Sequence, residues 1–240
     1  MFNNIKIFTI STNNYKDFTQ DFLESFNSLF LPDINKEFFL FTDYIDNPIY
    51  NNYKINPIYI NHESWPLITL KRYHAIANVC GQIQDNDLCI FADIDLKVEK
   101  KITSIKIETF FGVEHPGNYY INNLESLENN SKSLAFVSPS EIPENYKYIQ
   151  GCLWGGVGKN FIQMINILRE NTEKDFINGI VAKWHDESHL NKFCINNYQK
   201  FIFLSSSYAY PENWNLPIDK IITHKDKNMA KYPRFKGMTP

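Results

Sequence analysis

The hydrophobic positions of the first 95 residues alternate between the period of a strand and the period of a helix. Strands are predicted at residues 5–10, 38–41, 55–60 and 88–92, and helices at residues 18–29 and 66–80. Pro32 follows the first of these helices and prevents it from continuing. Strand, helix, two strands, helix and strand in that order predict an α/β fold with a mostly parallel central sheet and helices on both faces.

The periodicity is weaker beyond about residue 100, although further elements are still predicted. Strands are expected at residues 109–113, 134–137 and 201–204, and helices around residues 161–168 and 188–193. Residues 219–240 are rich in Lys and Arg and poor in apolar side chains, so we expect a mobile basic C-terminal tail unless an anion orders it. Since neither a repeat nor a linker is evident, one domain is the simplest organisation.

Composition and charge exclude several classes of protein. The 240 residues include 24 basic and 27 acidic side chains, so the net charge of −3 argues against binding to a nucleic-acid backbone. A run of about 18 apolar residues, which a membrane span requires, is not found, and the first residues do not resemble a secretory signal. The four cysteines form no CxxC pair, which indicates free thiols in a reducing compartment and predicts a cytoplasmic protein.

The first candidate site is Asp93-Ile94-Asp95, directly after the predicted strand at residues 88–92. Side chains two residues apart in an extended chain point the same way, so both carboxylates project together from the carboxyl end of this strand. Open α/β sheets bind ligands at that edge, and two hard oxygen donors suit Mg²⁺ or Mn²⁺. The alternative is a solvated turn after a buried strand.

The second candidate is the run WHDESHLNK at residues 184–192, which begins a predicted helix. Asp186 and Glu187 are favoured in a first turn by the helix dipole, so a structural helix start is one interpretation. A zinc-protease motif is excluded, because it requires Glu directly after the first His and Asp186 follows His185 here. The functional interpretation is that these carboxylates line a polar cavity.

Two weaker signals lie in the second half of the chain. Residues 151–158 read GCLWGGVG, and their glycines permit either close approach of the backbone to a ligand or tight internal packing. Their spacing is that of neither a P-loop nor a dinucleotide fingerprint. His115 begins a His-Pro-Gly turn after a predicted strand, where a histidine is either solvated or functional.

The order of these segments along the chain resembles that of the glycosyltransferases of family 6, which include the blood-group A and B transferases and the α1,3-galactosyltransferases. The run at residues 184–192 is similar to the nine-residue signature of that family, and the resemblance extends from Phe8 to Pro233. It implies a single GT-A catalytic domain with a nucleotide-binding half at residues 1–95 and an acceptor-binding half at residues 96–218. It also implies a short bacterial or viral form that lacks the membrane anchor of vertebrate members.

The activity implied by the resemblance is retaining transfer of galactose or N-acetylgalactosamine from a UDP-sugar, in α1,3 linkage, to a β-galactoside, which could be fucosylated. Glu187 is the implied catalytic residue, and Asp93 and Asp95 are the implied ligands of Mn²⁺ or Mg²⁺. The implied donor-binding residues are Phe8, Ile10, Tyr15, Arg72, Asp93, Ile94, Asp95, Gln150, Gly151, Cys152, Asp186, Lys225 and Lys231. The implied acceptor-binding residues are His115, Trp184 and Glu187.

Some alternatives stay open at this point. The resemblance implies that Gln150, Gly151 and Cys152 shape the space around the C2 substituent of the sugar. Gly151 would leave space for an acetamido group and Cys152 would narrow it, so the donor is either UDP-galactose or UDP-N-acetylgalactosamine. Glu187 could form a covalent intermediate or stabilise an oxocarbenium-like centre. A metal-dependent UDP-sugar hydrolase and a non-catalytic glycan-binding module are the competing functions, and the sequence makes no prediction of the oligomeric state.

Overall fold

The protein is described by a computed structural model that covers residues 2–120 and 124–227. The strands are β1 (Ile5–Ser11), β2 (Lys36–Thr42), β3 (Ile55–Tyr59), β4 (Leu88–Ala92), β5 (Leu96–Val98), β6 (Phe110–Glu114), β7 (Ile149–Val157), β8 (Phe201–Leu204), β9 (Tyr210–Pro211) and β10 (Ile222–His224). The helices are α1 (Thr19–Leu29), α2 (Leu67–Leu70), α3 (Arg72–Ala77), α4 (Gly158–Ile177) and α5 (His185–Asn196).

The central sheet has seven strands in the order β3-β2-β1-β4-β7-β6-β8. Strands β3, β2, β1 and β4 are parallel to one another, β8 is parallel to β6, and β7 is antiparallel to both of its neighbours. A second sheet has three strands in the order β5-β10-β9. The predicted α/β class with a mostly parallel central sheet is therefore confirmed.

Two hydrophobic clusters cover the two faces of the central sheet. Ile7 of β1 packs with Phe22 and Phe26 of α1, whereas the next residue, Phe8, packs on the other face with residues of α4 and α5. Successive side chains of a strand point to opposite faces, so this division follows directly from the continuous apolar run in β1. The helices lie on both faces of the sheet, as predicted.

Several sequence-based predictions need correction. Residues 134–137 form turns rather than a strand, because Leu134 N–H donates to the carboxylate of Asp175 and Val137 N–H donates to the backbone oxygen of Glu128. The helix predicted at residues 66–80 is divided into α2 and α3, followed by a short 3-10 turn. The four cysteines are free thiols, as predicted, and three of them are buried.

The glycine-rich segment at residues 151–158 belongs mostly to strand β7, and its glycines have two different roles. A Cβ atom added at Gly155 would lie 2.1 Å from the backbone oxygen of Cys89, and one added at Gly158 would lie 1.9 Å from that of Gln84. These two glycines therefore serve close packing inside the fold. At Gly151, in contrast, an added Cβ would lie 3.3 Å from Oε2 of Glu187, so this position faces the candidate site.

The start of the expected C-terminal tail forms part of the fold. Strand β10 pairs antiparallel with β5 and parallel with β9, and Lys225 N–H donates to the backbone oxygen of Asp95 at 2.9 Å. The pairing brings residues 224–227 next to the acidic pair that follows β4. The remainder of the predicted tail, residues 228–240, lies outside the described residues. Within the described residues, no helix is both long and apolar enough to cross a membrane.

Candidate active site

A cavity of about 450 Å³ opens at the carboxyl ends of β1 and β4, the edge at which open α/β sheets bind ligands. Most of the residues expected at the donor and acceptor sites line this cavity. They are Ile10, Tyr15, Arg72, Asp93, Ile94, Asp95, Gln150, Gly151, Cys152, Trp184, Asp186 and Glu187.

The acidic pair after β4 lies at the centre of the cavity. Asp93 N–H donates to the backbone oxygen of Cys152 at 2.8 Å, which continues the pairing of β4 with β7 by one residue. The acidic pair therefore lies at the end of the sheet. The Asp95 carboxylate is buried and pairs with the Lys227 ammonium, and its Oδ2 lies 3.3 Å from Nε2 of His224. One ligand atom from each of Asp93, Asp95 and His224 lies within 4.8 Å of the others, so these side chains could hold a metal ion.

The pKa values of the two aspartates are shifted in opposite directions. Burial raises the pKa of Asp93 to about 6, although the Arg72 guanidinium opposes this rise. Burial also disfavours the charged form of Asp95, but interactions with His224 and Lys227 outweigh it and hold the pKa of Asp95 below its usual range. Asp95 is therefore a carboxylate at neutral pH.

Arg72, one of three arginines in the chain, connects the acidic pair to the start of α5. Its Nη2 lies 3.6 Å from Oδ1 of Asp93, and its Nε lies 3.2 Å from Oδ2 of Asp186. Nη1 donates to the backbone oxygen of Gly151 at 2.7 Å, and the guanidinium stacks over the Phe91 ring at 4.4 Å. The planar guanidinium thus orients both carboxylates toward one cavity, which a lysine could not do in the same way.

Glu187 is held by two hydrogen-bond donors at the start of α5. Tyr148 O–H donates to Oε1 at 2.8 Å, and Gly151 N–H donates to Oε2 at 2.6 Å. Burial raises the pKa of Glu187 to about 7, because the two hydrogen bonds only partly offset the cost of a buried charge. A carboxylate that is fixed in position and titrates near neutral pH is typical of catalytic sites.

The backbone at the start of α5 explains how neighbouring residues 186 and 187 both face the cavity. His185 has a φ of 54°, in the left-handed region that costs a non-glycine residue on the order of 1 kcal/mol. Trp184 N–H donates to Oγ of Ser188 at 2.8 Å, which stabilises this tight helix start. Asn191 then attaches α5 to β7 through hydrogen bonds of 2.9 Å to both backbone groups of Ile149.

Not every expected site residue reaches the cavity. The Phe8 side chain is fully buried in the core, where it stacks on Phe39 and Phe161 at centroid distances of 4.9 and 5.3 Å. His115 is turned toward its own loop, and its Nδ1 accepts from Gly117 N–H at 3.0 Å. Burial, together with the nearby His224, lowers the pKa of His115 to about 4.

Among the described lysines of the C-terminal segment, Lys227 rather than Lys225 reaches the cavity. The Lys225 ammonium forms an ion pair with Glu212, away from the cavity lining, whereas Lys227 binds Asp95 and lies over the Tyr15 ring at 5.5 Å. Lys225, which was expected at the donor, therefore does not line the cavity, whereas Lys227 does. Lys231, the second expected tail residue, lies outside the described residues.

Sequence reasoning missed three functional candidates: Tyr148, His224 and Lys227. Nothing in the pattern around Tyr148 marks it, because its role depends on the turn that brings β7 beside α5. His224 and Lys227 follow an Ile-Ile-Thr run, which is a weak strand signal. Recognising that run as β10 would have placed both side chains beside the acidic pair.

The arrangement resembles a sugar-transfer site, and comparison with known proteins identifies its family. The family model of glycosyltransferase family 6 matches residues 3–231 of the chain. The chain belongs to glycosyltransferase family 6. The resemblance based on the WHDESHLNK run is thereby confirmed, and the cavity is the candidate active site of a glycosyltransferase.

Relatives of this glycosyltransferase occur in bacteria and vertebrates. It is 32% identical over 234 residues to the O-antigen biosynthesis glycosyltransferase WbnI of Escherichia coli, a match covering 95% of this chain and 97% of WbnI. It is 28% identical to the rat histo-blood group ABO system transferase 2, over 55% of this chain and 39% of the relative. It is 24% identical to the human globoside alpha-1,3-N-acetylgalactosaminyltransferase 1, over 87% of this chain and 61% of the relative.

Proposed function

We propose that this glycosyltransferase moves galactose or N-acetylgalactosamine from a UDP-sugar, with retention of configuration, to the 3-hydroxyl of a β-galactoside. The observation that carries the proposal is the position of Glu187, fixed by Tyr148 and Gly151 in the same cavity as the acidic pair after β4. The names of the rat and human relatives support a blood-group-like acceptor and an α1,3 linkage.

The nucleotide would occupy the end of the cavity near β1. Ile10 and Tyr15 supply an apolar wall there, and an aromatic side chain can stack on a base. Thr12 and His62 are joined by a hydrogen bond of 2.9 Å at the same end, which holds the loop after β1 in a defined conformation. The proposal therefore assigns uridine to this end and the diphosphate to the region of Asp93, Asp95 and Lys227.

The donor atoms in the cavity fit a divalent cation, which we propose to be Mn²⁺ or Mg²⁺. The carboxylates of Asp93 and Asp95 supply the hard oxygen ligands that such ions prefer. When bound, such an ion supplies positive charge against the negative charge that develops on the departing diphosphate. Lys227, which already lies at Asp95, would add its own charge to the same phosphates.

Glu187 would act on the transferred sugar. In a double displacement, retention requires a nucleophile on the face of the ring opposite the departing UDP. A fixed carboxylate there would form a covalent bond with the anomeric carbon or, in front-face attack by the acceptor, stabilise its positive charge. Asp186, held at 3.2 Å by Arg72, would bind hydroxyl groups of the same sugar. Trp184 is 40% exposed at the mouth of the cavity, where its ring can pack on the acceptor.

A donor-by-acceptor screen tests this proposal. UDP-galactose and UDP-N-acetylgalactosamine would be combined with β-galactosides with and without an α1,2-linked fucose, and the products analysed by NMR. The expected product carries a new α-linked hexose on the 3-hydroxyl of galactose. Release of free sugar at the same rate with or without acceptor would favour a UDP-sugar hydrolase, and binding without turnover would favour a glycan-binding module.

A further inference from the structure

The histidine beside the acidic pair offers a nitrogen donor that the Asp-x-Asp motif does not include. His224 lies in β10, where it pairs with Leu96, the residue directly after Asp95. Its Nε2 lies 3.3 Å from Oδ2 of Asp95. Two ligand atoms bound to one ion at about 2.1 Å and at right angles lie about 3 Å apart, so this separation suits adjacent positions around a cation.

We propose that His224 is a third protein ligand of the divalent cation, bound through Nε2 together with the carboxylates of Asp93 and Asp95. This inference rests on the proposed function, because it concerns the cation assigned there to the diphosphate. It adds a residue from the C-terminal segment to a site that would otherwise be built only from the loop after β4.

Rigid backbone around His224 supports this assignment. β10 pairs with β5 on one side and with β9 on the other, so His224 is fixed on a small sheet rather than on a free tail. The first residue of β5 follows Asp95 immediately, and Lys225 N–H donates to the backbone oxygen of Asp95 at 2.9 Å. Ligands on paired strands are held in position before a metal arrives, which favours binding.

Gln150 supports the ring from the other side. Its Nε2 lies 3.3 Å from Nδ1 of His224, while its Oε1 is buried and has no hydrogen-bond partner among the described residues. Turning the carboxamide over by 180° places Oε1 opposite Nδ1, where it accepts the Nδ1 proton. The Nε2 lone pair then faces the two carboxylates. Metal-bound histidines usually donate their other ring N–H to a second group in this way, which fixes the tautomer and the orientation of the ring.

The charges around Asp95 are also consistent with a cation between these side chains. Asp95 is buried and receives the Lys227 ammonium on the same Oδ2 that faces His224. A divalent ion at this position would replace the lysine charge, since both compete for one oxygen. Lys227 would then be free to bind an anion, and the burial of Asp95 would remain compensated.

An imidazole ligand has a consequence for metal preference that can be measured directly. Nitrogen donors favour Mn²⁺ and Co²⁺ over Mg²⁺, which prefers oxygen ligands. Replacing His224 by Phe should therefore raise the Kd for Mn²⁺ at least tenfold and the Kd for Mg²⁺ less than threefold. His74→Gln is the matched control, because His74 is half-buried on α3 outside this cavity and should leave both values unchanged.

The decisive experiment is pulsed EPR of Mn²⁺ bound to the full chain, first alone and then with UDP. The expected result is coupling of the ion to a ¹⁴N nucleus that disappears in His224→Phe and persists in His74→Gln. Labelling all histidines with ¹⁵N should change the coupling accordingly in the native chain, so the test does not depend on whether His224→Phe folds.

Two outcomes would overturn the inference. Mn²⁺ that binds without nitrogen coupling, or with coupling that survives His224→Phe, would exclude His224 as a ligand and leave the proposed transferase function standing. Failure of the native chain to bind Mn²⁺ at all, with or without UDP, would overturn both this inference and the proposed metal, whereas sugar transfer itself is measured separately in the acceptor screen.

Discussion

Tyr148 donates a hydrogen bond from its phenolic O–H to Oε1 of Glu187 at 2.8 Å, and this contact joins the residue before β7 to the first turn of α5. Gly151 N–H fixes the other oxygen of the carboxylate at 2.6 Å. Glu187 therefore cannot turn away from the cavity without losing two hydrogen bonds to a charged group, each contributing about 1.5–3 kcal/mol. The effects of substitutions in the cavity should therefore depend on this fixed, half-buried carboxylate and on the charged side chains around it.

Activity should depend on the ionisation of Glu187. Burial raises its pKa to about 7, and only the carboxylate can stabilise positive charge on the sugar. We expect kcat/KM to rise with pH between 6 and 8, with a midpoint of about 7 that belongs to the free enzyme. Initial rates across this range in buffers of constant ionic strength test this, and a flat profile would contradict the role of Glu187.

Removal of the Tyr148 hydroxyl should move that profile. In Tyr148→Phe the carboxylate loses a donor that favours its charged form, so the pKa of Glu187 should increase by about one unit. At pH 7 we expect kcat/KM to fall about fivefold, because the ionised fraction of Glu187 falls, and to recover most of the loss at pH 8.5. The matched control is Tyr198→Phe, because Tyr198 O–H donates to the backbone oxygen of Asn145, outside the cavity. An unshifted pH profile in Tyr148→Phe would argue against the hydrogen bond as a tuning contact.

The stability of the protein should also depend on Glu187. Its pKa is raised from 4.5 when unfolded to about 7 when folded, so the folded state binds more protons between these values and loses stability as the pH rises through them. Glu187→Gln removes this dependence. Between pH 4.5 and pH 8, the free energy of unfolding of the variant should therefore increase relative to that of the native chain by on the order of 3 kcal/mol. Urea unfolding of both proteins at the two pH values measures this change. A difference in unfolding free energy between variant and native chain that is the same at both pH values would contradict the raised pKa.

Lys227 and Lys225 form a matched pair for testing the C-terminal segment. Lys227→Ala should weaken binding of UDP at least tenfold, because it removes the ammonium that lies at Asp95 in the cavity. Lys225→Ala should change binding less than threefold, since its ammonium pairs with Glu212 instead. Calorimetric titration with UDP in the presence of Mn²⁺ compares the two, and the opposite order would restore the sequence-based assignment.

Much of the fold could be predicted from the sequence because its strands are buried on both faces. The apolar runs that form β1, β2, β4 and β8 were predicted to within one or two residues, since a short continuous apolar run is typical of a strand in a parallel sheet. The segment at residues 134–137 was mistaken for a strand because its backbone groups are satisfied by Asp175 and Glu128, which are distant in sequence. Such contacts leave no local pattern.

The site was predictable to the extent that its residues follow one another in the sequence. Asp93 and Asp95, and Asp186 and Glu187, were identified from their spacing and from the family signature. Tyr148, His224 and Lys227 come from segments without a motif. His224 and Lys227 reach the cavity through the pairing of β10, and Tyr148, which precedes β7, contacts Glu187. Strand alternation directs the side chain of Phe8, which was expected at the donor, into the core.

The most direct test of the central claim measures sugar transfer by Glu187→Gln alongside the native chain, with a UDP-sugar, Mn²⁺ and a β-galactoside. We predict that the native chain forms an α-linked product and that the variant loses at least a thousandfold in kcat while its Kd for UDP changes less than threefold. Transfer by Glu187→Gln at the native rate, with UDP bound normally, would contradict the account.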